Sequence, residues 1–128
     1  MGVFEKANAI TLLAGAAVSA NRFVKIDATG RAIQAAAGTD DAVGVALEAA
    51  AAAGDAIQVI VMDGAKMKVE SGAAVTLGSG VQSDSVGRAV DNAGVLNRIQ
   101  GYALEAAAAS GELITVLLSK GSGNTPAS

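Results

Sequence analysis

The stretch "ALEAAAAAGDAIQVIV", Ala46–Val61, starts as a helix and ends as a strand. Leu47, Glu48 and the alanines that follow are good helix formers. Ile57, Val59 and Val61 then alternate with other residues, as a strand requires. A near copy, "ALEAAAASGELITVLL", occupies Ala103–Leu118. How this phrase is read, and why it occurs twice, decides the fold.

Outward from the phrase, the correspondence extends over most of the chain. Gly44 aligns with Gly101, an offset of 57. The same offset relates Gly54 to Gly111, Gly30 to Gly87 and Gly15 to Gly72. It also relates Asp27 to Asp84, Arg31 to Arg88, and Leu47-Glu48 to Leu104-Glu105. Alanine matches carry little weight in so alanine-rich a chain, but matches at Gly, Asp, Arg and Glu do. The sequence therefore reads as a duplicated domain over 15–121, with halves of about 9–65 and 66–122. Two copies are too few for a solenoid, so the halves are expected to share one core. Residues 1–14 form an N-terminal arm or first strand. Residues 122–128 lack large apolar side chains and read as a flexible tail.

Within each half the grammar is that of short strands. "VKIDATGRAIQ" and "VQSDSVGRAVD" place Asp-x-x-Gly-Arg between two alternating stretches. Asp opens a type I turn and Gly accepts the left-handed position after it. Hairpins are thus expected at Asp27–Gly30 and Asp84–Gly87. Gly54 and Gly111 are the further turn glycines. "AIQVIVM" and "LITVLLS" are apolar on both faces and read as central strands. "AKMKVES" alternates Lys66, Lys68 and Glu70 with Met67 and Val69, as a half-exposed strand does. The Glu-Ala runs remain open between a short helical turn ended by glycine and a wide loop of small residues. "GSGVQS", Gly78–Ser83, reads as a flexible turn, since its counterpart "NRFVKI" has no glycine.

Composition bounds the rest. Of the 128 residues 52% are hydrophobic but only three are aromatic, Phe4, Phe23 and Tyr102, so the core is thin and association of copies is expected. The net charge of −3 and the scattered bases argue against nucleic acid. No stretch is long and apolar enough to span a membrane, and the N-terminus reads as mature sequence rather than a signal. His and Cys are absent, which removes the usual general base, nucleophile and soft metal ligands. Glu48 and Glu105 occupy matching places in the two halves, which inheritance from one unit explains better than a catalytic pair. Asp40-Asp41 lacks the spacing of a calcium loop. No enzyme activity, cofactor or metal is expected.

The phrase Gly-x-Ala-Leu-Glu-Ala-Ala-Ala, then Gly-Asp/Glu-x-Ile-x-Val and a closing Gly, at Gly44–Gly64 and Gly101–Gly121, resembles the capsid decoration, or cement, proteins of tailed bacteriophages. The resemblance implies a mainly β protein, a small β-barrel or tulip-like domain. It implies a non-enzymatic virion protein, made in the host cytoplasm, that binds the outer surface of the head and stabilises the major capsid protein lattice. It further implies a homo-oligomer, a trimer before a dimer. An arm carrying Phe4, Ile10, Leu12 and Leu13 would touch the shell. The other roles that suit such a chain are a tail or baseplate component and a surface-adhesion module.

Overall fold

A computed structural model describes residues 8–94 and 97–121. Phe4, the start of the expected arm and the expected tail lie outside the described residues. The described chain holds ten strands: β1 Ala9–Leu13, β2 Phe23–Ile26, β3 Ala32–Gln34, β4 Gly44–Ala46, β5 Ala56–Val61, β6 Lys66–Glu70, β7 Gly80–Ser83, β8 Ala89–Asp91, β9 Ile99–Ala103 and β10 Leu113–Gly121. They form two five-stranded antiparallel sheets, ordered β1-β5-β4-β2-β3 and β6-β10-β9-β7-β8. The order is the same in both, and β1, β2, β3 and β5 each start 57 positions before β6, β7, β8 and β10. β5 and β10 have a neighbour on each side, which accounts for their two apolar faces.

The Asp-x-x-Gly-Arg segments form the hairpins. Oδ1 of Asp27 accepts the amides of Thr29 and Arg31 at 2.8 and 3.0 Å. Oδ1 of Asp84 accepts those of Val86 and Arg88 at 2.9 and 2.8 Å. Gly30 and Gly87 follow in the left-handed region, at φ 85° and 80°. "GSGVQS" is less of a turn than its glycines suggest. Gly78 turns the chain at φ 84°, and Gly80–Ser83 is already β7. In the first half Asn21 makes the same turn at φ 63°, an Asn doing what Gly does.

The alanine runs are loops, and no helix occurs among the described residues. Competition for hydrogen bonds explains this. A helix through Glu48–Ala53 needs the Ala50 amide to donate to the Ala46 carbonyl. Instead Ala50 donates to Val18 at 2.8 Å, and the Ala46 carbonyl accepts from Asn21 at 2.8 Å. Gly54 donates to Ala14. In the second half Ala107 pairs with Val75, the Ala103 carbonyl accepts from Gly78, and Gly111 donates to Ser71. A lone run of this length gains too little from helix formation to resist. Its small side chains let the loop lie directly on the sheet.

A closed barrel is not formed. β1 and β3 are the edges of the first sheet, and they approach only through the parallel bridge of Ala14 with Ala32. Ser71 and Ala89 repeat that single bridge in the second sheet. Closing a sheet requires tilted strands long enough to form a ladder at the seam. β3 and β8 have three residues each, so each sheet curls over its core but stays open.

Two apolar clusters hold the fold. Val24, Ala46, Ile57 and Val59 line the inner face of the first sheet, under Ala14, Val18, Ala32 and Ala50. Its outer face, Phe23, Val45 and Ile60, joins the cluster of the second half with Val69, Val81, Ile114, Val116 and Leu118. The first sheet therefore carries an apolar cluster on each face. The linker fixes the join, since Gly64 donates to Leu118 and Leu118 donates to Ala65, both at 2.8 Å.

Strands this close leave no room at two positions. A Cβ on Gly44 would lie 2.1 Å from the Ile60 carbonyl oxygen, and one on Gly101 2.4 Å from that of Leu117. Because the obstacle is backbone, Gly44→Ala or Gly101→Ala is expected to destabilise the protein by roughly 1–3 kcal/mol. Urea unfolding of each variant measures this, with a midpoint equal to wild type as the contrary result.

Candidate docking surface

The surface with most to offer a partner is the outer edge of β1. Among the described residues β1 pairs with β5 on one side only. Ile10 and Leu13 are 43% and 46% exposed, and Leu12 packs half-buried on the inner cluster. Along the strand, Ile10 and Leu12 point to that inner face, whereas Thr11 and Leu13 point outward with Ile60 of β5. "AITLL" has no charge and no proline. An uncovered apolar edge of this kind is a template for pairing, one that proteins otherwise blunt with charges.

β6, its counterpart, is blunted in two ways. It carries Lys66, Lys68 and Glu70, and the first half covers its edge. The Glu70 amide donates to the Asn21 carbonyl at 3.0 Å, and Nδ2 of Asn21 donates to the Lys68 carbonyl at 2.9 Å. The Arg22 guanidinium pairs with Glu70 at 3.0 Å. Arg22 also donates to the Val86 carbonyl at 2.9 Å, as does Gln34 at 3.2 Å. Further along this contact Nε2 of Gln100 donates to the Asp40 carbonyl, and Lys120 pairs with Asp41 at 3.3 Å. None of these contacts follows from the repeat itself. Its signal lies where the halves differ, with Leu13 standing where Glu70 stands and Ser79 where Arg22 stands.

The acidic residues singled out from the sequence hold backbone. Glu48 accepts the Gln58 amide at 3.0 Å, and Glu105 accepts the Thr115 amide at 2.7 Å. Each clamps its alanine loop onto the following strand. Asp40 accepts the Ala36 amide and pairs with Lys25 at 3.0 Å. Asp55 and Glu112 accept amides of the alanine loops, at Ala51 and Ala108. The structure thus gives each of these carboxylates a position in a turn or loop.

Residues 6–118 match the profile of the phage cement proteins. The chain belongs to the phage cement protein family. It is therefore a structural protein of the phage head, and that role asks for docking faces rather than a reaction centre. Among solved structures the cement chain is similar to the head fiber gp8.5 N base of bacteriophage phi29, with a TM-score of 0.71 and 25% identity. That match covers 89% of this chain and 95% of the other. No curated protein matches the sequence.

One loop clamp of this cement protein is tuned electrostatically. The Lys68 ammonium, 2.8 Å away, and the Thr115 amide hold the Glu105 carboxyl at about 2, below its ordinary 4.5. A depressed carboxylate contributes stability above its unfolded pKa and loses it as pH falls through the folded value. The contribution of Glu105 is therefore complete above about pH 4.5 and disappears towards pH 2. Glu105→Gln should lower the melting temperature at pH 7 and close the gap to wild type at pH 2. Parallel melting curves over that range would refute the assignment.

Proposed function

We propose that this protein decorates the outer surface of the phage head, binds the major capsid protein and reinforces its lattice. Membership of the cement family carries this reading. The similarity to the base of a head fiber favours the head over the tail or baseplate. A cement protein needs rigidity and repetition, because weak contacts multiplied over a lattice gain avidity far beyond any one of them. Two sheets locked by a shared cluster supply the rigidity.

In this reading the two sheets descend from one duplicated unit. Their identical strand order and matching turns support that origin. The working unit is a homo-oligomer, with a trimer favoured, which supplements a core built mainly of Ala and Val. Contact with the shell is made by the N-terminal residues, with Phe4 and the exposed Ile10 as apolar anchors. Leu12 is committed to the inner core. Since the anchors carry no charge, attachment depends little on salt.

Two experiments test this. Purified protein mixed with undecorated expanded heads should bind and raise the temperature at which the heads rupture, in low and moderate salt alike. Removing Met1–Lys6, which leaves β1 intact, should abolish attachment while the far-ultraviolet spectrum and melting temperature stay unchanged. Failure of the full chain to attach rejects the cement role, whereas undiminished attachment of the truncated chain rejects only the N-terminal anchor.

A further inference from the structure

The two sheets of one chain touch through unlike surfaces. On the first sheet the surface is Asn21, Arg22 and Phe23, with Gln34 beside them. On the second it is the β6 edge and the Asp84–Gly87 hairpin. The Phe23 amide donates to the Gly87 carbonyl at 2.8 Å, and a Cβ on Gly87 would lie 2.9 Å from the Phe23 oxygen. A contact between unlike surfaces leaves the opposite surface of each partner available, so it can be repeated.

Among the described residues neither opposite surface is covered as its counterpart is. On the second sheet the counterparts of Phe23, Val45 and Ile60 are Gly80, Tyr102 and Leu117. They are cross-strand neighbours, Gly80 with Tyr102 and Tyr102 with Leu117, as Phe23, Val45 and Ile60 are. Phe23, Val45 and Ile60 are buried, but Gly80, Tyr102 and Leu117 are only half-buried. On the first sheet the counterparts of Lys68, Glu70 and Gly87 are Thr11, Leu13 and Gly30. All three are exposed, and a Cβ on Gly30 would meet nothing within 4 Å. The same hairpin is plugged in one half and free in the other.

We propose that copies of this chain join head to tail by repeating their internal contact. The β1 edge and the Asp27–Gly30 hairpin of one copy dock on the Gly80, Tyr102 and Leu117 face of the next. Continuity with the internal contact identifies a second copy as the occupant. The charges agree with it. Internally Arg22 faces Glu70. At the seam between copies both are replaced together, by Ser79 and Leu13, while Gln34 is replaced by Asp91, whose carboxylate is already held by Thr76 and Ser79. The exposed Leu77 lies beside this face, two residues from Ser79. The seam between copies lacks the Arg22–Glu70 ion pair of the seam within the chain.

This inference rests on the homo-oligomer reading above, and light scattering separates the two. The wild-type chain should have the mass of three chains. Leu13→Glu and Tyr102→Glu should each reduce it to one, with circular dichroism unchanged. An equimolar mixture of the two variants retains one intact tail and one intact edge. It should therefore stop at a two-chain species. A single-chain mass for the wild type at every concentration overturns the homo-oligomer reading and the seam with it. A wild-type oligomer whose mass neither variant changes overturns the seam alone. Growth of the mixture to the wild-type mass overturns the head-to-tail geometry. If either variant fails to fold, Thr11→Lys and Leu117→Lys probe the same two surfaces.

Discussion

Phe23 is the contact on which the arrangement of the two sheets depends. Among the described residues it is the largest fully buried side chain, and it belongs to the first sheet yet sits in the cluster of the second. Most of its companions are Val and Ala, which bury little area each, and burial contributes only about 25 cal/mol per Å². Strands of three to nine residues with such side chains cannot support two independent domains. Sharing one cluster across the join resolves this, and it gives the first sheet an apolar cluster on each face.

The same shortage of bulk governs the loops. Because the side chains are small, the alanine segments lie close enough to the sheet for Ala50 and Ala107 to pair with Val18 and Val75. The carboxylates of Glu48 and Glu105 then pin those loops through a strand amide. What resembles a pair of reactive acids is a pair of clamps. The fold uses its acidic residues to satisfy backbone groups that a helix or a wider sheet would otherwise satisfy.

Much of this was legible in the residues. The offset of 57 located equivalent strands because turn chemistry is local. Asp27 and Asp84 bond amides two and four residues ahead, and Gly30 and Gly87 supply the dihedral that follows. One expectation failed and one open alternative was decided for a common reason. The closed barrel, which is not formed, and the choice of loop over helical turn in the alanine runs both depend on where backbone groups far apart in the chain find partners. The Ala50 amide cannot reveal locally that Val18 will claim it, nor can Ala14 reveal that it meets Ala32 once and no more. The glycines of "GSGVQS" misled in the opposite direction, since Asn21 shows that the position needs one left-handed residue and not a flexible run.

The candidate docking edge divides in the same way. Sequence alone determined most strands, the hairpins, the offset of 57 between matching residues and the resemblance to phage cement, because each rests on periodicity or on bonds spanning a few residues. The tertiary structure alone decided which of two equivalent edges is covered. β6 meets Asn21 and Arg22, while β1 meets only β5 among the described residues. Two equivalent halves in one chain, joined through unlike surfaces, must differ in what they leave open, and only their placement shows which side that is.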